Sequence, residues 1–200
     1  MKRVKIFTLI LPCLFAILFQ SCASFDKEFV NPNPLKTQNL HNLEGTYDIA
    51  NIVFDSIKNE KVSYFNTHAN FFKEIDRKLI KDTLGLNNTN DYKFELKVLN
   101  PKKIKISYLK NGEIIRERDI KTKLKKDGFL YLSNKNLQFL GVPYIFGAFD
   151  IKKVRLTLSK NNDLIFDVSN IRSGAGLLIV FLTYKEWQYK REYKRISLAP

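Results

Sequence analysis

The dipeptide Asn111-Gly112 stands between two runs of alternating apolar and polar residues, and it constrains the fold more than any other feature. A two-residue turn of this kind needs positive φ at both central positions, which Asn-Gly tolerates, so the flanking runs must form an antiparallel hairpin. The run before it, 103–110, puts Ile104, Ile106 and Tyr108 on one face. Residues 92–99 alternate as clearly, with Tyr92, Phe94, Leu96 and Val98 against Lys93, Glu95 and Lys97, and Asn100-Pro101 turns the chain. Further strands are expected at 46–53, 113–124, 129–132, 153–158, 164–168, 177–184 and 187–196. Asp127-Gly128 and Asn161-Asn162-Asp163 supply turns between some of them. Many short strands at regular spacing indicate a mainly β, antiparallel sandwich or barrel.

One segment has a different period. Phe65, Ala69, Phe72, Ile75 and Leu79 recur at three- and four-residue steps, which predicts an amphipathic helix in the long connection 55–91. Its apolar stripe needs the sheet as a partner. Residues 141–149, Gly-Val-Pro-Tyr-Ile-Phe-Gly-Ala-Phe, are too apolar for an ordinary loop. They are expected to form a bent or bulged strand packing inward, with contact to a membrane or partner as the alternative. Gly174 and Gly176 are expected to mark a turn or bulge before the apolar run 177–184.

The N-terminus begins with Lys2, Arg3 and Lys5, continues as an apolar run over 6–19 broken by Pro12, and closes with Gln20-Ser21-Cys22. A charged start, an apolar core and a small residue at a cut site make a secretory signal. The core is shorter than the about 20 apolar residues of a spanning helix. The closing residues resemble the bacterial lipobox, although Gln20 and Phe19 depart from its usual choices. The resemblance implies cleavage after Ser21 and acylation of Cys22 by palmitate-type chains. It also implies a lipoprotein of the cell envelope; Ala23, in place of an aspartate, points to the outer membrane, facing the periplasm or the cell surface. The organisation expected is a signal peptide over 1–21, a lipidated tether over 22–42 containing Asn31-Pro32-Asn33-Pro34, and a folded domain over 43–200.

The chain holds 34 basic and 20 acidic residues, a net +14. Its first 21 residues carry three of the basic ones and none of the acidic ones, leaving 31 against 20, or +11. Behind a secretory signal such a balance suits anionic envelope surfaces rather than nucleic acid. The lysines are spread along every segment, however, which suits a solvated face equally well. The two cysteines are Cys13, inside the leader, and Cys22, so the folded domain is expected to hold no disulfide. The chain's two histidines, His41 in or near the tether and His68 at the expected helix start, are too few for a His-based metal site. Ser173-Gly174 lacks the glycine pattern of a nucleophile elbow, and Glu117 and Asp119 look like cross-strand ion pairs. No enzyme activity, cofactor or metal is expected.

Leu43-Glu44-Gly45-Thr46-Tyr47 resembles the opening of lipocalin-like (calycin) domains, with Tyr47 where that family has tryptophan. The family also keeps an arginine near the end of its last strand, over that ring. Here Trp187, Tyr189, Arg191, Tyr193 and Arg195 share a face, and Arg191 is the first choice for this structural role, with Arg195 second. The resemblance implies an up-and-down barrel with one helix between its first and second strands. A small hydrophobic or amphipathic ligand would lie against Tyr47, Phe94, Leu96, Ile106, Tyr108, Leu156, Leu158, Phe166, Trp187 and Tyr189. Phe65, Phe72, Ile75 and Leu79 would then face the barrel as a lid. The alternative is a structural or interaction lipoprotein whose barrel is solid.

Overall fold

The structure, a computed structural model, describes residues 24–55, 60–65, 75, 92–133, 137–142, 146–176 and 180–198. After a 3-10 helix at Thr37–Leu43 come ten strands: β1 Gly45–Asp55, β2 Glu60–Phe65, β3 Tyr92–Asn100, β4 Lys103–Lys110 and β5 Glu113–Leu124. They continue as β6 Leu130–Leu132, β7 Leu137–Val142, β8 Phe146–Leu158, β9 Leu164–Gly176 and β10 Val180–Ser197. Eight of them, β1-β3-β4-β5-β6-β8-β9-β10, pair in that order, and β10 pairs back onto β1. The result is a closed antiparallel barrel. β2 hangs on β1 and β7 on β8.

The Asn111-Gly112 hairpin forms as expected, with φ of 52° and 86°. Tyr92–Asn100 is inward and outward by turns, so Tyr92, Phe94 and Leu96 are buried and Lys93 and Lys97 exposed. Gly45 lies so close to the end of β10 that a Cβ there would stand 2.6 Å from the Ser197 carbonyl oxygen. Only glycine lets the first and last strands meet at this point.

Several expected elements are longer or different. β8 and β9 run to 13 residues each, and the two strands expected near the C-terminus are one strand of 18. The described ends of the segment 141–149 belong to two strands, β7 and β8, rather than to one. They carry the β7–β8 ladder, in which Gly141 pairs with Gly147 and Val142 with Phe146. Residues 143–145, Pro143 among them, lie outside the described residues. Opposite Gly174 and Ala175, β10 does shift register between Phe181 and Thr183, a bulge.

Among the described residues, closure is confined to one end. β1 passes four residues, Tyr47 to Asn51, while β10 passes two, Arg195 to Tyr193. This bulge lets β1 pair β3 over Gly45–Asp48 and β2 over Asn51–Asp55. On the far side, β6 pairs β5 only from Thr122 to Leu124, ending with Ser133 N–H donating to the Lys121 carbonyl. Among the described residues the β3–β4–β5 wall therefore joins the rest of the sheet only near the end where Gly45, Asn100-Pro101 and Leu124 lie.

Candidate functional site

The closed end is filled by aromatic rings. Tyr47 stacks on Phe94 at 5.2 Å, Phe94 meets Tyr193 edge-on at 5.3 Å, and Tyr193 meets Phe166 at 4.9 Å. Leu96, Ile106, Leu156 and Leu158 complete the layer, each with no exposed surface, and Ile49 and Tyr108 are buried beside them. All of these side chains belong to one buried hydrophobic cluster. Eight of the ten residues expected to line a ligand site belong to this buried cluster. Tyr193, the centre of the cluster, was not in that set, because parity alone could not tell which aromatic of β10 sits at the level of Phe94.

The arginine over Tyr47 is Arg195, not Arg191. Its guanidinium lies 5.3 Å from the Tyr47 ring and donates to the Tyr47 hydroxyl at 2.7 Å and to the Asn42 carbonyl. Tyr47 in turn donates to the Leu43 carbonyl at 2.8 Å. Burial pushes its hydroxyl up to about 12, against the opposing pull of Arg195. Arg191 stands two levels further along β10, 4.9 Å from the ring of Tyr189. The choice failed because both arginines share one face of the strand, and only register gives height.

Above the core the interior turns polar. Lys152, buried, donates to the Tyr189 hydroxyl at 3.1 Å. Asp150, also buried, accepts from Arg172 at 2.9 Å. Arg116 and Arg118 share the inward face through their register with Tyr108 and Ile106, and Asp55 stands opposite Tyr189. Trp187, expected in the wall, is 38% exposed. Ile75 is helical and fully buried in the same core, in keeping with a helix facing the barrel. Phe65, expected on that helix, ends β2 instead, because residues 60–65 pair with β1. Phe72 and Leu79 lie outside the described residues, as do Cys22 and His68.

The segment expected as a free tether is extended but docked. It crosses the outer face of β8, β9 and β10, and Arg155 is its centre. The Arg155 Nε donates to Asp167 at 2.6 Å, and Nη2 donates to the Asp26 carbonyl at 3.2 Å. Its guanidinium plane lies 4.6 Å from the Phe25 ring and 3.8 Å from the Phe129 ring. Asn31 accepts from Thr157 at 2.6 Å, and Leu35 N–H donates to the Gly128 carbonyl at 2.9 Å. Ser24 donates to Glu186 and accepts from Gln188. The packed unit thus begins well before Leu43. The alternation of Phe25, Phe29 and Leu35 with polar residues was the available signal, obscured by the Asn-Pro repeats.

Electrostatics tie this strap down. Burial pushes the Asp167 carboxyl above its ordinary range, and Arg155 only partly pulls it back. For Asp26 the balance is opposite. Burial, its largest single influence, acts upward, but the bonds from Lys190 and the Glu28 N–H and the charges of Lys190 and Arg155 hold it below 3.8. A carboxyl lowered by folding contributes stability above its unfolded value and loses it as pH falls through the folded one. As pH falls below about 3.8 the strap is therefore expected to loosen before the barrel, since protonating Asp26 weakens its 3.1 Å pair with Lys190. Hydrogen exchange of residues 24–35 should accelerate while that of β8 and β9 does not; equal acceleration of all three would refute it.

The outer face of β4–β5 carries the expected ion pairs, Lys103–Asp119 at 2.9 Å and Lys105–Glu117 at 3.1 Å. Among the described residues no three of His, Cys, Asp and Glu converge on a metal site, and no helix is long and apolar enough to cross a membrane. Ser173 lies within β9, paired with Tyr184, rather than on a turn into a helix. No family model matches the chain, and neither curated proteins nor solved structures give a match.

Proposed function

We propose that the protein is a lipid-anchored, non-enzymatic component of a bacterial outer membrane, held through acyl chains on Cys22, whose barrel is a solid interaction scaffold. The observation that supports the scaffold reading is the closed end itself, where Tyr47, Phe94, Phe166 and Tyr193 pack on one another as a buried aromatic layer. The lipobox-like leader supports the anchor, and the docked strap agrees with it: a segment fixed as far as Ser24 holds the barrel close to its attachment point. The basic balance of the chain suits an anionic envelope surface as partner.

A second reading is favoured by one observation. Lys152 and Arg191, buried, and Tyr189, partly buried, form a polar group above the core, on the same inward side as Arg116 and Arg118. That layer suits the polar head of an amphipathic ligand, with no place for its tail in the closed end. Native mass spectrometry of protein extracted from its own membranes separates the two. We expect acyl mass on the peptide holding Cys22, no such mass in the Cys22→Ser variant, and no small molecule bound besides. A stoichiometric amphiphile would overturn the scaffold reading, and an acyl-free Cys22 would overturn the anchor.

A further inference from the structure

Residues 136–149 and 173–184 contain no charged side chain. Their described parts, residues 137–142, 146–149, 173–176 and 180–184, lie at one end of the structure, as the distal parts of the β7–β8 and β9–β10 ladders. The first charged residues below them on three adjacent strands are direct cross-strand neighbours, Asp150 opposite Arg172 and Arg172 opposite Lys185. The change from uncharged to charged is thus a line across the sheet rather than a gradient. Tyr184 and Trp187, 58% and 38% exposed, stand at this line. An exposed tyrosine and tryptophan between an apolar zone and a charged one is the arrangement favoured at a membrane–water interface, where each ring has an apolar body and a polar tip.

The strap meets the same line. Ser24 is bonded to Glu186 and Gln188, and two residues further on Asp26 is bonded to Lys190, so the segment runs along β10 towards the charge-free end as it is followed back. Cys22 is two residues from Ser24, a reach of at most about 7 Å. An acyl anchor there would enter the bilayer beside the uncharged ends.

From this geometry we propose that the distal ends of β7–β8 and β9–β10 form a lipid-contacting tip that enters the headgroup and outer acyl region of one leaflet. The orientation rests on Cys22 as the anchor, while the contact itself rests on the strand ends. From Tyr184 to Val180 the strand rises about 13 Å at roughly 3.3 Å per residue. A headgroup layer is about 6 Å thick on each side of a 30 Å hydrocarbon core, so such a tip reaches the first acyl segments. Deeper entry is disfavoured, because open sheet edges do not occur in hydrocarbon. Arg172 and Lys185 would then lie at the phosphates, where cations are favoured.

The test uses the chain from residue 22, which contains every described residue and has Cys22 as its sole thiol. Coupling Cys22 to a maleimide lipid in vesicles places the protein at a bilayer whether or not cells acylate it, so failure of the anchor reading cannot imitate failure of the tip. Trp187 is the only tryptophan. A Phe181→Trp, Trp187→Phe variant moves the fluorophore from the line to the uncharged end, and Phe146→Trp, Trp187→Phe does the same on the neighbouring hairpin. Lipids brominated high on the acyl chain are expected to quench both relocated tryptophans strongly and Trp187 weakly, with the β-sheet circular dichroism unchanged. Relocated tryptophans that stay unquenched in the folded variants would overturn the tip. So would quenching no greater than that of Trp187. Quenching lost in high salt would overturn it too, since that result marks adsorption of the basic surface alone.

Discussion

Replacing Phe94 by alanine is expected to lower the free energy of unfolding by about 3–5 kcal/mol, the range for removing a fully buried aromatic ring. Phe94 touches both Tyr47 and Tyr193, so the void would open at the centre of the aromatic layer. β1, β3 and β10 surround it, and their ladders oppose collapse of the backbone into the space. Urea unfolding followed by circular dichroism measures the change. A loss below about 1 kcal/mol would mean that the ring does not fill the barrel, and the scaffold reading would lose its main support.

Arg155→Met should be about as costly, roughly 3–5 kcal/mol, because it removes one partner of a buried ion pair and strands the other. Asp167 is only 1% exposed, and its carboxylate bonds Arg155 at 2.6 Å. The same guanidinium packs between Phe25 and Phe129, so the strap should detach along with the loss. The double variant Arg155→Met, Asp167→Leu distinguishes an orphaned charge from lost packing. Recovery of most of the stability is expected, since an apolar pair of similar volume often replaces a buried ion pair without penalty. A double variant as unstable as the single one would assign the effect to the strap contacts instead.

The legible parts of this fold were those fixed by local chemistry. Asn111-Gly112 specifies its turn through the φ values it tolerates, and the period of two over 92–99 specifies which side chains are buried. What was not legible depends on register. The residues of β10 at 187, 189, 191, 193 and 195 share a face, yet Tyr193 is core, Arg195 covers Tyr47 and Trp187 is exposed. Only the pairing of β10 with β1, including its bulge, assigns those heights. Length was misjudged for a related reason. β8 and β9 extend past the closed barrel, where glycine and apolar residues blur the alternation. Phe65 fitted a helical period by spacing alone, but β1 offers residues 60–65 a ladder, and the ladder prevailed. Arg155 and Asp167 sit on outward positions of two strands, where no local pattern signals burial. Their burial arises from a segment more than a hundred residues away in the chain.

The pairing of β1 with β10 also sets the order of events during folding. These ladders join Thr46 to Ser197 and Asp55 to Tyr189, so the contacts that shut the barrel lie among the longest sequence separations in the protein. Hairpins such as β3–β4, β4–β5 and β8–β9 are local and can form as the chain emerges, within microseconds. Closure must wait for the last strand, and chains dominated by such distant pairings fold in milliseconds to seconds. During synthesis one edge of β1 stays without its β10 partner until residues 189–197 have appeared. A ribosome-bound chain that stops short of residue 189 would therefore present an unfinished sheet edge, the kind of surface that chaperones must shield.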